Sequence, residues 1–171
     1  METELFEEEK KEPVRYPLKQ ARREADRLTF VLCRHCKRVE IAGSIRRRRP
    51  DVHDIDIVCI PKSASELSRF FFVNAIVPTG GKKHLKFKLD GIPVDLYLAD
   101  EYTWATLLLI RTGSKEHNIK MCRRAQEMGM KLKANGEGII LNEGPRLTIE
   151  TEGDIFEALG LPYKEPWERE A

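Results

Sequence analysis

Gly43-Ser44-Ile45-Arg46-Arg47-Arg48-Arg49-Pro50-Asp51-Val52-His53-Asp54-Ile55-Asp56-Ile57-Val58 reads as a phosphate-binding turn, a basic loop and a strand that carries two carboxylates. A strand sends alternate side chains to opposite faces, so Asp54 and Asp56 share one face while Ile55 and Ile57 point into a core. Two carboxylates side by side repel and raise each other's pKa, and a cation relieves that repulsion. Hard oxygen ligands favour a magnesium-type ion, which keeps some waters and takes further ligands from substrate phosphates. A D-x-D pair alone reads equally well as two surface charges on an edge strand. The upstream Gly43-Ser44 changes the balance, because glycine lets backbone come close to an anion and consecutive N–H groups form a phosphate nest. Phosphate binder, basic loop and metal carboxylates within one short stretch are the parts of a nucleoside-triphosphate site.

The rest of the 171-residue chain is long enough for one domain or a compact pair of subdomains. Hydrophobic residues make up 41%, which permits a real core, and the net charge of +2 conceals segregation. Residues 1–12 hold six glutamates and two lysines, whereas residues 111–133 hold seven Lys/Arg. Local basic patches suit phosphate-rich partners better than a membrane, and no apolar run has bilayer-spanning length. The acidic start does not read as a signal peptide, so the expected location is cytoplasmic, or nuclear if the source has a nucleus. Cys33, Cys36, Cys59 and Cys122 read as reduced thiols. Cys33-Arg34-His35-Cys36 has half of a zinc spacing without a second pair to complete it, so helix-end packing is the simpler reading.

In chain order, residues 1–15 read as a charged flexible tail. Leu18, Ala21, Ala25, Leu28 and Leu32 recur at helical steps between Pro17 and Cys36. Val39–Ala42 reads as a strand, and a second strand runs from Asp54 to Ile60 and stops at Pro61. Ser63 or Ser65 caps a helix whose inner face carries Leu67 and the run Phe70-Phe71-Phe72. Leu85–Leu89 and Ile92–Leu98 form a hairpin about Asp90-Gly91, and the turn accounts for Asp90. Asp95 sits among apolar neighbours as Asp54 and Asp56 do, which makes it the third carboxylate of a metal site. Residues 101–111 read as an apolar helix. A basic helix after Thr112-Gly113-Ser114 carries Ile119, Met121, Cys122, Ala125 and Met128 inward. Ile139–Asn142 is extended, Thr151 caps a last helix, and Lys164–Ala171 reads as an extended polar tail.

These residues together resemble the X-family DNA polymerases. The resemblance rests on Gly43-Ser44-x-Arg46-Arg47, Asp54-x-Asp56, Val94-Asp95-Leu96 and Thr112-Gly113-Ser114-x-x-x-Asn118, with Ile155-Phe156-x-x-Leu159-Gly160-Leu161-Pro162-Tyr163 at the end. The Gly-Ser turn and D-x-D mark the wider nucleotidyltransferase superfamily, and the Thr-Gly-Ser turn with Asn118 is the more specific part. The resemblance implies an α+β fold: a nucleotidyltransferase palm over residues 16–108, with a mixed β-sheet flanked by helices, then a small thumb-like nucleotide-selection subdomain over 109–171. It also implies a minimal palm-plus-thumb form.

Carried over residue by residue, the resemblance implies that Asp54, Asp56 and Asp95 are catalytic and hold two Mg²⁺ or Mn²⁺ ions. It implies nucleotide binding by Gly43, Ser44, Arg47, His53, Thr112, Gly113 and Asn118, with a cis peptide between Gly113 and Ser114. Lys82, Lys83, His84, Lys120, Arg123 and Arg124 are the expected DNA phosphate contacts, and Arg48 and Arg49 are expected to be solvated. Ile110-Arg111 stands where the family usually has Tyr-Phe. The expected activity is DNA-directed nucleotide addition in gap filling or repair, by a monomer whose partners are primer-template or gapped DNA and a nucleoside triphosphate. Two alternatives stay open: the same chemistry on another acceptor, untemplated or with ribonucleotides, and a non-catalytic DNA-binding module.

Overall fold

The computed structural model describes residues 13–142 and 144–170, so most of the expected charged tail lies outside the described residues. The chain enters through a two-residue strand, β1 (Tyr16–Pro17), directly into helix α1 (Leu18–Leu32). The apolar stripe read from the sequence buries Ala21, Ala25, Leu28 and Leu32, as an amphipathic surface helix should. Next come β2 (Cys36–Ile41), the single-turn helix α2 (Gly43–Arg46), β3 (Asp51–Val52) and β4 (Ile55–Pro61). Helix α3 (Ala64–Val73) and the short β5 (Thr79–Gly80) lead to the hairpin of β6 (His84–Leu89) and β7 (Ile92–Leu98). Asp90 and Gly91 both have positive φ there, the left-handed pair that a tight two-residue hairpin turn requires.

The five-stranded sheet has the order β2-β4-β7-β6-β5. Its central pair, β4 and β7, is parallel and its other pairs are antiparallel. Both faces of β4 are covered, which is why the strand reads as a nearly continuous apolar run. Ile55, Ile57, Cys59, Val94 and Leu96 pack with α1 and α3 on one face. Val58, Ile60 and Tyr97 pack on the other against Leu107 and Leu108 of α4 (Trp104–Thr112). A fully buried isoleucine such as Ile57 contributes about 2–3 kcal/mol of transfer free energy.

Past α4 a second core forms. Helix α5 (Lys115–Glu127), the ribbon of β8 (Met130–Leu132) and β9 (Ile139–Leu141), and α6 (Glu152–Ala158) enclose Leu109, Met121, Ala125, Ile139, Ile155 and Phe156. Thr151 and Asp154 close the start of α6 with a reciprocal capping box. A 3₁₀ turn at Pro166–Glu168 follows. No helix among the described residues is long and apolar enough to cross a membrane.

Three readings need correction. Phe72 is 86% exposed, because the one-residue step from Phe71 rotates it off the inner face of α3. Ile119 and Met128 also face outward, and the buried stripe of α5 is His117, Met121 and Ala125. Most consequentially, residues 164–170 are no polar tail: Arg169 is fully buried, and Trp167 packs under Arg48 with the guanidinium 3.6 Å from the ring centroid.

Candidate active site

Asp56 and Asp95 are direct partners across the parallel β4–β7 pair, and Asp54 lies one residue before β4 begins. Each of the three offers a carboxylate oxygen within 4.8 Å of the others. They occupy the sheet face that α4 covers further along β4, at Val58 and Ile60. Burial and the Asp95 charge push the Asp54 carboxyl up. Burial first, then Asp54 and Asp95, push Asp56 up to about 7, against the pull of Arg111 and Arg47. Burial and the same carboxylates also push the neighbouring Tyr97 hydroxyl up. An oxygen-only donor set this crowded fits a hard divalent cation, which would supply the positive charge that the side chains lack.

Gly43 abuts this cluster. Its φ is +59°, and a Cβ there would fall 1.9 Å from Asp56 Oδ2, so only glycine permits the approach. Ala42 N–H donates to the Asp56 carbonyl at 2.8 Å, which ties the turn to the strand. Gly43 and Ser44 open α2, whose first N–H groups have no intrahelical acceptor, as at any helix start.

The arginine run is held by the end of the chain. Arg46 makes a two-armed pair with Glu152, at 2.9 and 2.7 Å, and donates to Thr112 Oγ1 at 2.8 Å. Arg169 reaches the same Glu152 carboxylate at 2.6 Å. Arg47 donates from Nε to Glu170 at 2.9 Å and from Nη1 to the Thr112 carbonyl. Arg49 reaches Glu170 at 3.3 Å. Arg48 and Arg49, expected to be solvated, are therefore engaged, although both side chains stay largely accessible.

A cavity of about 660 Å³ opens between α4 and α5, lined in part by Arg47, Arg111, Gly113, Ser114, Lys115 and Asn118. The Gly113–Ser114 peptide at its edge is cis. Asn118 donates to the Ile110 carbonyl at 2.8 Å, and its Oδ1 is buried with no hydrogen-bond partner among the described residues. Thr112 is buried behind Gly113. His53 lies apart from this cavity's lining and donates from its ring to the Val14 carbonyl at 3.1 Å.

The residues expected to contact DNA divide into two groups. Lys82, Lys120 and Arg123 are exposed. Lys83 pairs with Glu137 at 3.1 Å, and Arg124 donates to the Leu159 carbonyl at 3.0 Å, pinning α5 to the end of α6. His84 turns inward onto Asp95 at 2.5 Å rather than outward with the loop lysines. Sequence reasoning missed Glu152 and Glu170, whose partners Arg46 and Arg47 lie far away in the chain, and Arg169, which joins Glu152. It also passed over Tyr97, under which no motif runs, although its alternation with Asp95 put the two on one face.

Residues 107–170 match the DNA polymerase beta thumb family. The chain is 30% identical over 170 residues to the DNA polymerase/3′-5′ exonuclease PolX of Bacillus subtilis (strain 168), covering 94% of this chain and 30% of that protein. It is 32% identical over 103 residues to DNA polymerase lambda of Rattus norvegicus, covering 55% of this chain and 17% of that protein. The chain thus spans less than a third of the length of either relative.

Proposed function

The chain belongs to the X-family DNA polymerases, and on that premise we propose that it is a nucleotidyltransferase that adds nucleotides to a DNA primer 3′-hydroxyl, in gap filling or repair. The observation that carries this reading is the meeting of Asp54, Asp56 and Asp95 beside Gly43. The three would hold two Mg²⁺ or Mn²⁺ ions. When bound, such ions supply Lewis-acid activation of the attacking hydroxyl and offset charge on the triphosphate.

The chain's own groups divide the remaining work. Asp54 and Asp56 would hold the ions together with Asp95, which would also orient the primer 3′-hydroxyl. Arg47, the Ser44 hydroxyl and the first N–H groups of α2 face the charge that builds up on the triphosphate. Arg47 exchanges the Glu170 carboxylate for phosphate when it does so. Gly113 and Asn118 border the cavity that would receive the sugar and base, with Thr112 buried next to Gly113. Exposed Lys82, Lys120 and Arg123 offer sequence-independent contacts to DNA phosphates.

Primer extension on gapped DNA with Mg²⁺ or Mn²⁺ tests the reading. The wild-type chain extends the primer, a chelator stops it, and Asp95→Ala abolishes it. Normal synthesis by Asp95→Ala would rule out the mechanism. A panel crossing dNTP and NTP with gapped, blunt and single-stranded acceptors identifies the acceptor and sugar.

A further inference from the structure

His84 opens β6 and lies opposite Tyr97 in the antiparallel β6–β7 register, where Lys86 lies opposite Asp95. Residues 84 and 86 therefore present side chains on the same face as Asp95 and Tyr97. The His84 ring lies nearly flat on the Tyr97 ring, with centroids 4.4 Å apart and planes 16° apart. That stack fixes the plane of the imidazole and aims Nε2 at Asp95 Oδ1, 2.5 Å away. Lys86 Nζ reaches the same oxygen at 3.3 Å, from a side chain that is 59% exposed. Among the described residues, both side-chain donors to Asp95 thus sit on Oδ1.

We propose that His84 is a positioning residue for Asp95: its Nε2–H holds Oδ1 so that Oδ2 is presented to a cation shared with Asp54 and Asp56. The inference rests on the metal-dependent reading above. It assigns His84 to the carboxylate rather than to DNA. A hydrogen bond from a neighbouring strand limits rotation of the carboxylate about its own side-chain bond, and partners of this kind alter metal affinity by about 10–100-fold in other sites. Lys86 is the weaker constraint, because a flexible, exposed ammonium retains several rotamers.

Two variants separate the bond from the stack. His84→Phe keeps a ring on Tyr97 and removes the donor, and His84→Gln keeps a donor and removes the ring. Mn²⁺ binding to the full chain is measured by electron paramagnetic resonance of the free ion, and DNA binding by fluorescence anisotropy over a salt series. His84→Phe is expected to bind Mn²⁺ about tenfold more weakly and His84→Gln to stay within about threefold of wild type, with the salt slope of DNA binding unchanged in both. Wild-type Mn²⁺ affinity in His84→Phe overturns the proposal, and so does equal weakening in both variants, which would assign the effect to packing. A salt slope lowered by about 0.9 with Mn²⁺ affinity intact would make His84 a phosphate contact instead. An Asp95→Ala control keeps the two readings apart: if it leaves Mn²⁺ binding unaltered, the metal-site reading itself fails, whatever His84 does.

Discussion

Asp56, half-buried, and Glu152, buried, are both acids that the fold draws away from water, and the chain treats them in opposite ways. Glu152 has two arginines of its own, Arg46 and Arg169, whose bonds and charge hold its carboxyl below the usual carboxylate range despite burial. Asp56 has two further aspartates as nearest charges, and its carboxyl is driven up. One acid is closed by cations that the chain supplies. The other is left open, with Arg47 and Arg111 near enough to be felt but in no ion pair with it among the described residues. Structural acids and functional acids can thus be told apart by asking where the compensating charge comes from.

Substituting each acid separates the two roles. Asp56→Asn should lower primer extension by about a thousandfold, while the metal-free fold becomes more stable because a repelling charge is gone. Loss of both activity and thermal stability in that variant would erase the distinction. Glu152→Ala should do the reverse. Leaving Arg169 and Arg46 buried without a counter-ion costs about 3–5 kcal/mol, read as a fall in denaturation midpoint, with Mn²⁺ affinity unaltered in whatever remains folded.

The pH dependence sharpens the contrast, because the two acids act with opposite sign. Asp56, raised to about 7, keeps its proton in the fold but loses it in the unfolded chain above the ordinary value of 3.8. Its contribution is therefore complete below 3.8 and disappears as pH rises through 7, a loss of a few kcal/mol without metal. Mg²⁺ or Mn²⁺ should flatten that loss by taking the proton's place, and urea titrations at several pH values with and without the ion check it. Glu152, with its carboxyl lowered, contributes fully above its ordinary value of 4.5 and loses that contribution as pH falls. Glu170→Gln should have the smallest effect. The Arg47–Glu170 pair is partly exposed and worth about 1 kcal/mol, so its removal should tighten nucleotide binding by no more than about fivefold in equilibrium titration.

Much of this was legible in the sequence because its signals are local. The alternation of Asp54 and Asp56 with isoleucines, the Asp90-Gly91 turn and the stripe of α1 each depend on residues a few positions apart. The union of the three carboxylates was read from the apolar setting that Asp95 shares with Asp54 and Asp56 and reinforced by the resemblance, since nothing in the spacing says that β4 and β7 pair in register. The grip of the chain's last described residues on the arginine run was not legible. Arg46 with Glu152, Arg47 with Glu170 and Arg48 with Trp167 join positions more than a hundred residues apart, by contacts that leave no periodic trace. The same blindness made Lys164–Ala171 look like a tail, because glutamate and arginine in a short terminal run resemble solvated charge until their partners are known.

The parallel pairing of β4 with β7 carries a kinetic consequence. Parallel neighbours cannot be joined by a tight turn, so Asp56 and Asp95 meet only after α3, β5 and β6 have been laid down between them. Such long-separation pairings are closed late and slowly in folding. Ion capture therefore becomes a clock for maturation: a refolding chain should regain its helical signal well before it can withdraw manganese from solution.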